Sequence, residues 1–291
     1  MNTSTSWIIF LVFVLSSPVF SASREEREQA RAKKEYDEQR EELREKFELV
    51  QEKFDLLIGD YDNAKIEGRD SIGQWKSYQN RFKREFGRAR NYYSKTRFKF
   101  DNLKMVNDTL KDLAGDIPDL VDMIGKNIED ARDEKTISLE ESITRRLEGI
   151  SGILDIEKPV LRRGSWTPAG PVRWKVINAR RKTRDKYTKT RLATVRFKVQ
   201  ITDEIMKRLE GEGMMLLSAN GEKLYPIMNF GREKFAYSEK ERPPFGDWIE
   251  ATRVHTFTAV FRVGERDREF ILRVSDLERT QPEYSYVSVR L

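Results

Sequence analysis

The chain has 291 residues, 55 Lys/Arg against 49 Asp/Glu for a formal charge of +6, and no cysteine. That length accommodates two or more domains with cores of their own, and 11% aromatic residues argue against disorder despite a charged fraction of 36%. Without cysteine there is no disulfide, no thiolate nucleophile, no cysteine metal site and no lipid-carrying cysteine. The charge is divided: Arg24–Pro159 holds 28 Lys/Arg and 32 Asp/Glu (−4), and Val160–Leu291 holds 27 and 17 (+10).

Residues 1–22 read as a secretory signal peptide. The apolar block Trp7–Leu15 is shorter than the roughly 20 residues a membrane-spanning helix needs. Ser16, Ser17 and Pro18 break it, and Ser21 and Ala22 supply small residues for cleavage. The front end has no Lys or Arg, so an uncleaved leader that tethers the protein to the membrane is the competing reading. The missing cysteine at the junction excludes a bacterial lipoprotein. Both readings place the bulk of the chain outside the cytoplasm, periplasmic or extracellular.

Residues 23–156 read as a coiled-coil or helical-bundle domain. Tyr36, Leu43, Val50, Leu57 and Ala64 follow one heptad row, and Phe47, Phe54 and Tyr61 the other. A second run places Trp75, Phe82, Ala89, Leu103 and Leu110 in one row and Ile72, Phe86, Tyr93 and Phe100 in the other. The four-residue spacing Ala64–Gly68–Ile72 between the runs admits two forms. One is a continuous rod of roughly 135 Å, which the unbroken phase slightly favours. The other is an antiparallel hairpin turning at Gly68-Arg69-Asp70-Ser71. Gly115-Asp116-Ile117-Pro118 is expected to stop the long helix, with Pro118 opening the next. Ser138 and Glu141 form a capping-box pattern for a further helix through Leu154. These two shorter helices are expected to fold back on the second run. The first run lacks an evident partner unless Gly68 turns it back, which makes Phe47, Phe54 and Tyr61 candidates for self-association or partner docking.

Residues 157–171, with three prolines and two glycines, read as a linker. From Val172 the apolar period becomes two, and residues 172–291 read as an antiparallel β-sandwich. The expected strands are Val172–Asn178, Leu192–Ile201, Met214–Ser218, Lys223–Met228, Thr252–Val263, Glu269–Ser275 and Tyr284–Leu291. Asn220-Gly221 signals a type I′ hairpin. The overall class is thus multidomain α plus β.

The hairpin Met214-Met-Leu-Leu-Ser-Ala-Asn-Gly-Glu-Lys-Leu-Tyr225, followed after a long loop by Thr256–Val263, Phe270–Val274 and a last strand, resembles the immunoglobulin-like domains of bacterial exported proteins. The resemblance covers at most residues 172–291. It implies a binding or structural module and brings no catalytic residue with it.

The strongest local feature is the basic run Arg173–Lys198, opposed only by Asp185. Its centre, Ala179–Arg191, reads as a hairpin tip whose Arg180, Arg181, Lys182, Arg184, Lys186, Lys189 and Arg191 form a candidate anion site. The leader turns the expected partner from nucleic acid toward anionic lipid, envelope polysaccharide or an acidic protein. The competing reading is a solvated hairpin whose charges block edge pairing. Phe245 and Trp248, in the aromatic loop 230–248, are candidate partner contacts; the competing reading closes the end of the sandwich with them. His255 stands alone and cannot form a multi-histidine metal site. No phosphate loop, HExxH or EF-hand pattern occurs, so no cofactor, metal or catalytic set is assigned. The sequence therefore points to a non-enzymatic exported scaffold or adaptor. The alternatives are a cell-wall or carbohydrate-binding subunit of an envelope enzyme system, or a membrane-tethered coiled coil.

Overall fold

A computed structural model describes residues 24–67, 70–126, 133–184, 191–203, 207–208, 213–220, 222–227, 248–249, 251–264, 268–277 and 281–291. The leader, most of the aromatic loop and the tip at 185–190 lie outside the described residues. Four helices come first: α1 (Arg24–Glu67), α2 (Asp70–Lys95), α3 (Asp101–Lys126) and α4 (Glu134–Leu154). The strands follow: β1 (Thr167–Ala169), β2 (Val172–Arg184), β3 (Arg191–Ile201), β4 (Lys207–Arg208), β5 (Met214–Ser218), β6 (Lys223–Leu224), β7 (Trp248–Ile249), β8 (Val254–Val263), β9 (Glu269–Ser275) and β10 (Tyr284–Arg290). The protein is a mixed α plus β structure.

The straight rod does not form. Glu35 pairs with Lys99 at 2.5 Å, Glu42 accepts a hydrogen bond from Tyr92, and Lys53 pairs with Glu85. Contacts in that reversed order make α1 and α2 antiparallel. The reason is burial. In a lone rod the first heptad run would face water, whereas here Tyr36, Leu43, Phe47, Val50, Phe54 and Leu57 are all buried against Phe82, Phe86, Tyr93 and the other helices.

Two helix boundaries differ from expectation. The second run breaks at residues 96–100, where Thr96 stands in the heptad row between Ala89 and Leu103. Its hydroxyl and its amide both bond back to the Tyr92 carbonyl at 3.0 Å. α3 then continues through Pro118. An interior proline costs about 3 kcal/mol, but Ile117, Leu120, Val121 and Ile124 are at most 2% exposed. Each contributes about 1.5–3 kcal/mol on burial, and continuous helix is what keeps them on one stripe. α4 starts four residues before the expected capping box, because Asp133 accepts from the Thr136 amide at 2.7 Å and caps it instead.

The β part has two four-stranded antiparallel sheets, β1-β2-β3-β8 and β10-β9-β5-β6, and a short β4-β7 pair. The sheets enclose one core, with Trp174, Phe197 and Phe261 from the first meeting Phe270, Leu272 and Val289 from the second. The Trp174 indole also donates to the Ser275 carbonyl at 2.8 Å, tying the layers together. The Asn220 hairpin closes through the Ser218 amide and the Glu222 carbonyl at 3.0 Å. Residues 219–221 thus separate the strands, one more than a type I′ turn allows.

The outer face of the second sheet carries the helices. Ile271 belongs to the helical core, and Leu217, Ala219 and Tyr286 pack against it. The expected linker is part of this assembly. β1 lies within it, and Leu161 exchanges backbone hydrogen bonds of 2.9 Å with Tyr286 and Ser288. The layers therefore run helices, second sheet, first sheet. The outer face of the first sheet is the one turned away from the helices.

Candidate anion-binding face and a charged groove

Strands β1, β2, β3 and β8 together contain ten Lys/Arg and no Asp or Glu. Alternation sorts them. Val172, Trp174, Val176, Val195, Phe197 and Val199 point into the core, so Arg173, Lys175, Arg196 and Lys198 stand on the outer face. Antiparallel register places Lys175 directly opposite Lys198, with Arg173 opposite Gln200 and Arg196 opposite Asn178. Like charges directly opposite destabilise a sheet by up to about 1 kcal/mol. No carboxylate among the described residues pairs with Lys175, Arg196 or Lys198. Arg173 is held 5.2 Å from the Trp166 ring centroid by a cation–π contact.

The cations expected on a hairpin tip are arranged differently. β2 runs on through Arg184, and the ladder closes with Arg184 opposite Arg191, so Ala179–Arg181 are strand, not loop. Arg180 is exposed at the far end of the same sheet, and half-buried Arg181 reaches toward the Gly264 carbonyl at 3.5 Å. Arg191 is half-buried. The side chains of Lys182 and Arg184, and residues Lys186 and Lys189, lie outside the described residues. Strand pairing explains the shift: Ala179 gains a buried position that a loop would leave open.

The expected partner contacts fare differently. Phe47 and Phe54 are 5% and 4% exposed and belong to the intramolecular helical core, so a docking role for them is withdrawn. Phe245 and the side chains of Tyr61 and Trp248 lie outside the described residues. The Trp248 backbone pairs with Arg208 in the β4-β7 ladder. His255 stacks on Phe257 within β8, opposite Val199. No group of His, Cys, Asp or Glu among the described residues could hold a metal ion. Asn107, the acceptor of a formal glycosylation sequon, is buried and donates to the Tyr93 carbonyl at 2.9 Å.

Sequence reasoning missed a groove of about 750 Å³ where α3 and α4 meet the second sheet. Asp108, Asp112 and Asp116 follow one another at helical spacing along α3 and face Arg145, Arg146 and Arg268. Arg146 pairs with Asp116 at 2.6 Å, and across the groove Arg290 pairs with Glu269 at 3.3 Å. Desolvation by the groove walls, and then the charge of Asp116, push the Asp112 carboxyl above the usual carboxylate range. Asp112 remains open to solvent, so the effect is modest. The four-residue spacing of these aspartates was visible in the sequence, but nothing there placed the arginines opposite them.

No family model matches this chain, and no curated protein matches it. Among solved structures it is similar to the yjhA protein of Bacillus subtilis, at 12% identity over 44% of this chain and 98% of that one, with a TM-score of 0.37. It is also similar to ycdA of Bacillus subtilis, described as a candidate lipoprotein, at 13% identity over 43% of this chain and 38% of that one, TM-score 0.33. A functionally unknown protein of Listeria monocytogenes matches at 11% identity over 44% of this chain and 80% of that one, TM-score 0.31. Likenesses this loose carry no argument about activity or partners. No helix among the described residues is long and apolar enough to cross a membrane.

Proposed function

We propose that the protein is a non-enzymatic, exported binding scaffold whose first sheet engages an anionic component of the cell envelope through its outer face. The observation that carries the proposal is the juxtaposition of Lys175 and Lys198, flanked by Arg173 and Arg196, on strands without a carboxylate. Such an arrangement costs stability in the free protein and is relieved when an anion bridges the cations. Export rests on the leader sequence, and we read the two-sheet unit as immunoglobulin-like from its hairpin and strand order. The helical hairpin, read as a short antiparallel coiled coil, is the scaffold on which this unit is mounted.

The test is flotation with phosphatidylglycerol vesicles, neutral phosphatidylcholine vesicles and soluble polyphosphate, using the parent and the variant Arg173→Gln/Lys175→Gln/Arg196→Gln/Lys198→Gln. Each cation near an anionic surface is worth about 1 kcal/mol, so the variant should bind phosphatidylglycerol about 100- to 1,000-fold more weakly. Equal binding by parent and variant rejects the proposal. Polyphosphate competing with vesicles identifies phosphate chemistry rather than the bilayer as the ligand.

A second reading is favoured by one observation, the groove in which Asp108, Asp112 and Asp116 face Arg145 and Arg146. It makes the protein a carbohydrate-binding subunit of an envelope enzyme system, with the groove as glycan site. Loss of cell-wall glycan binding in Asp112→Asn, with the basic face intact, would favour it over the first.

A further inference from the structure

The exposed side of α1 between residues 41 and 60 is one-sided in charge. Its exposed residues include Glu41, Glu45, Glu48, Glu52, Asp55 and Asp60 but no Lys or Arg. Among the described residues no ion pair neutralises any of these six. The cations of the segment are spent elsewhere: Arg44 on Asp155, Lys46 over the Tyr92 ring and Lys53 on Glu85. Within this acidic stretch Leu49 and Leu56, seven residues apart on one side of the helix, are 49% and 53% exposed. Several of these residues border a shallow hollow of about 600 Å³.

We propose that this acidic ridge docks on the basic outer face of the first sheet of a second copy, so that molecules associate head to tail. The inference rests on the reading that this face accepts anions, and it names a second occupant for it. Charge complementarity is the first argument: carboxylates alone on the ridge meet Arg173, Lys175, Arg196 and Lys198 alone on the sheet. Apolar complementarity is the second, since the basic face also exposes Ile177 and Val254, at 39% and 48%, as counterparts for Leu49 and Leu56. Leu192, Thr194, Thr258 and Val260 on that side of the sheet are buried, so the open basic stretch is residues 173–178 beside 196–200, about 17 Å at the strand rise, which fits within a ridge about 30 Å long at the helical rise. The layer order supplies the last argument. The helices pack on the second sheet through Ile271 and Leu217, whereas the basic face lies on the far side of the first. Ridge and face therefore cannot meet within one molecule. Between molecules the contact is heterologous, so each added copy presents a free ridge and a free face.

Sedimentation velocity at low and high salt tests the proposal on the parent, a ridge variant (Glu45→Lys/Glu48→Lys/Glu52→Lys) and a face variant (Lys175→Glu/Lys198→Glu), with circular dichroism verifying their fold. The parent should associate with rising concentration at low salt and dissociate at high salt. Each variant alone should be monomeric, because one of its two complementary surfaces has lost its net charge. The two variants mixed should associate again. A parent that stays monomeric at low salt, association that survives in either variant alone, or a mixture that stays apart overturns the proposal. Phosphatidylglycerol vesicle binding separates this failure from that of the underlying reading. If the ridge variant still binds vesicles, only self-association falls; if the parent fails to bind them, the reading of the face falls as well.

Discussion

The hydroxyl of Tyr36 donates to the carbonyl of Ile156 at 2.8 Å, joining the first helix to the segment that leads into the strands. Asn102 donates to the same hydroxyl at 2.9 Å, and Arg40 donates to the same carbonyl at 3.0 Å. Burial pushes the Tyr36 phenol up from its ordinary 10 to about 12, against the smaller opposing effect of the Asn102 bond. The folded state thus favours the neutral phenol. Stability is intact below pH 10 and falls as pH rises from 10 toward 12, because the unfolded chain ionises first. At 1.36 kcal/mol per unit the loss is on the order of 2–3 kcal/mol. Tyr36→Phe should cost about 1–2 kcal/mol at neutral pH and reduce the alkaline loss, leaving the part due to buried Tyr93 and Tyr286, as measured by urea unfolding at pH 8 and pH 11.

The hairpin of α1 and α2 is open to a direct distance measurement, since a chain without cysteine accepts two engineered labels cleanly. Spin labels at Lys53→Cys and Glu85→Cys should report the separation of adjacent helices, whose axes lie about 10 Å apart. A continuous rod would hold those positions about 48 Å apart.

Phe47 and Phe86 belong to one core. Phe47→Ala and Phe86→Ala should each lower unfolding free energy by about 3–5 kcal/mol. Neither should alter vesicle binding by the fraction that remains folded. Loss of binding without loss of stability in Phe47→Ala would return that residue to a docking role.

Pro118→Ala restores a helical amide in the middle of α3 and removes the ring's clash with the preceding turn. It should raise stability by about 1–3 kcal/mol, read as an increase in the urea midpoint with an unchanged slope.

Much of this architecture was legible because its signals are local. Strands β5 and β9 match their expected bounds, and β3, β8 and β10 come within two residues, since alternation such as Val195, Phe197, Val199 is set by the pleat alone. The heptad rows identified the buried face of α1 correctly. What the rows could not decide was direction, because a hairpin and a rod bury the same stripe and differ only in what covers it. Thr96 was the visible cue for the break at 96–100, as a polar residue in the apolar row. Pro118 misled in the opposite sense, because its local cost is outweighed by Ile117, Leu120 and Val121, whose burial depends on α2 and α4. The basic run was evident from composition. Its presentation on one face of the sheet, with Lys175 across from Lys198, depends on register and appears only when β2 and β3 are paired.

That pairing implies an opposition between stability and binding. Lys198→Glu turns a like-charged cross-strand pair into an attractive one. It should raise stability by about 0.2–1 kcal/mol while weakening anion binding, measured as a higher melting temperature with reduced vesicle affinity.

The most direct test of the central claim is the affinity for phosphatidylglycerol vesicles across a salt titration, for the parent and for Lys175→Gln/Lys198→Gln. The parent should bind at low salt and weaken as salt rises. The double variant, missing two cations worth about 1 kcal/mol each, should bind about 30-fold more weakly. Affinities that are equal in the two proteins, or independent of salt in the parent, would contradict the assignment of the first sheet as an anion-binding face.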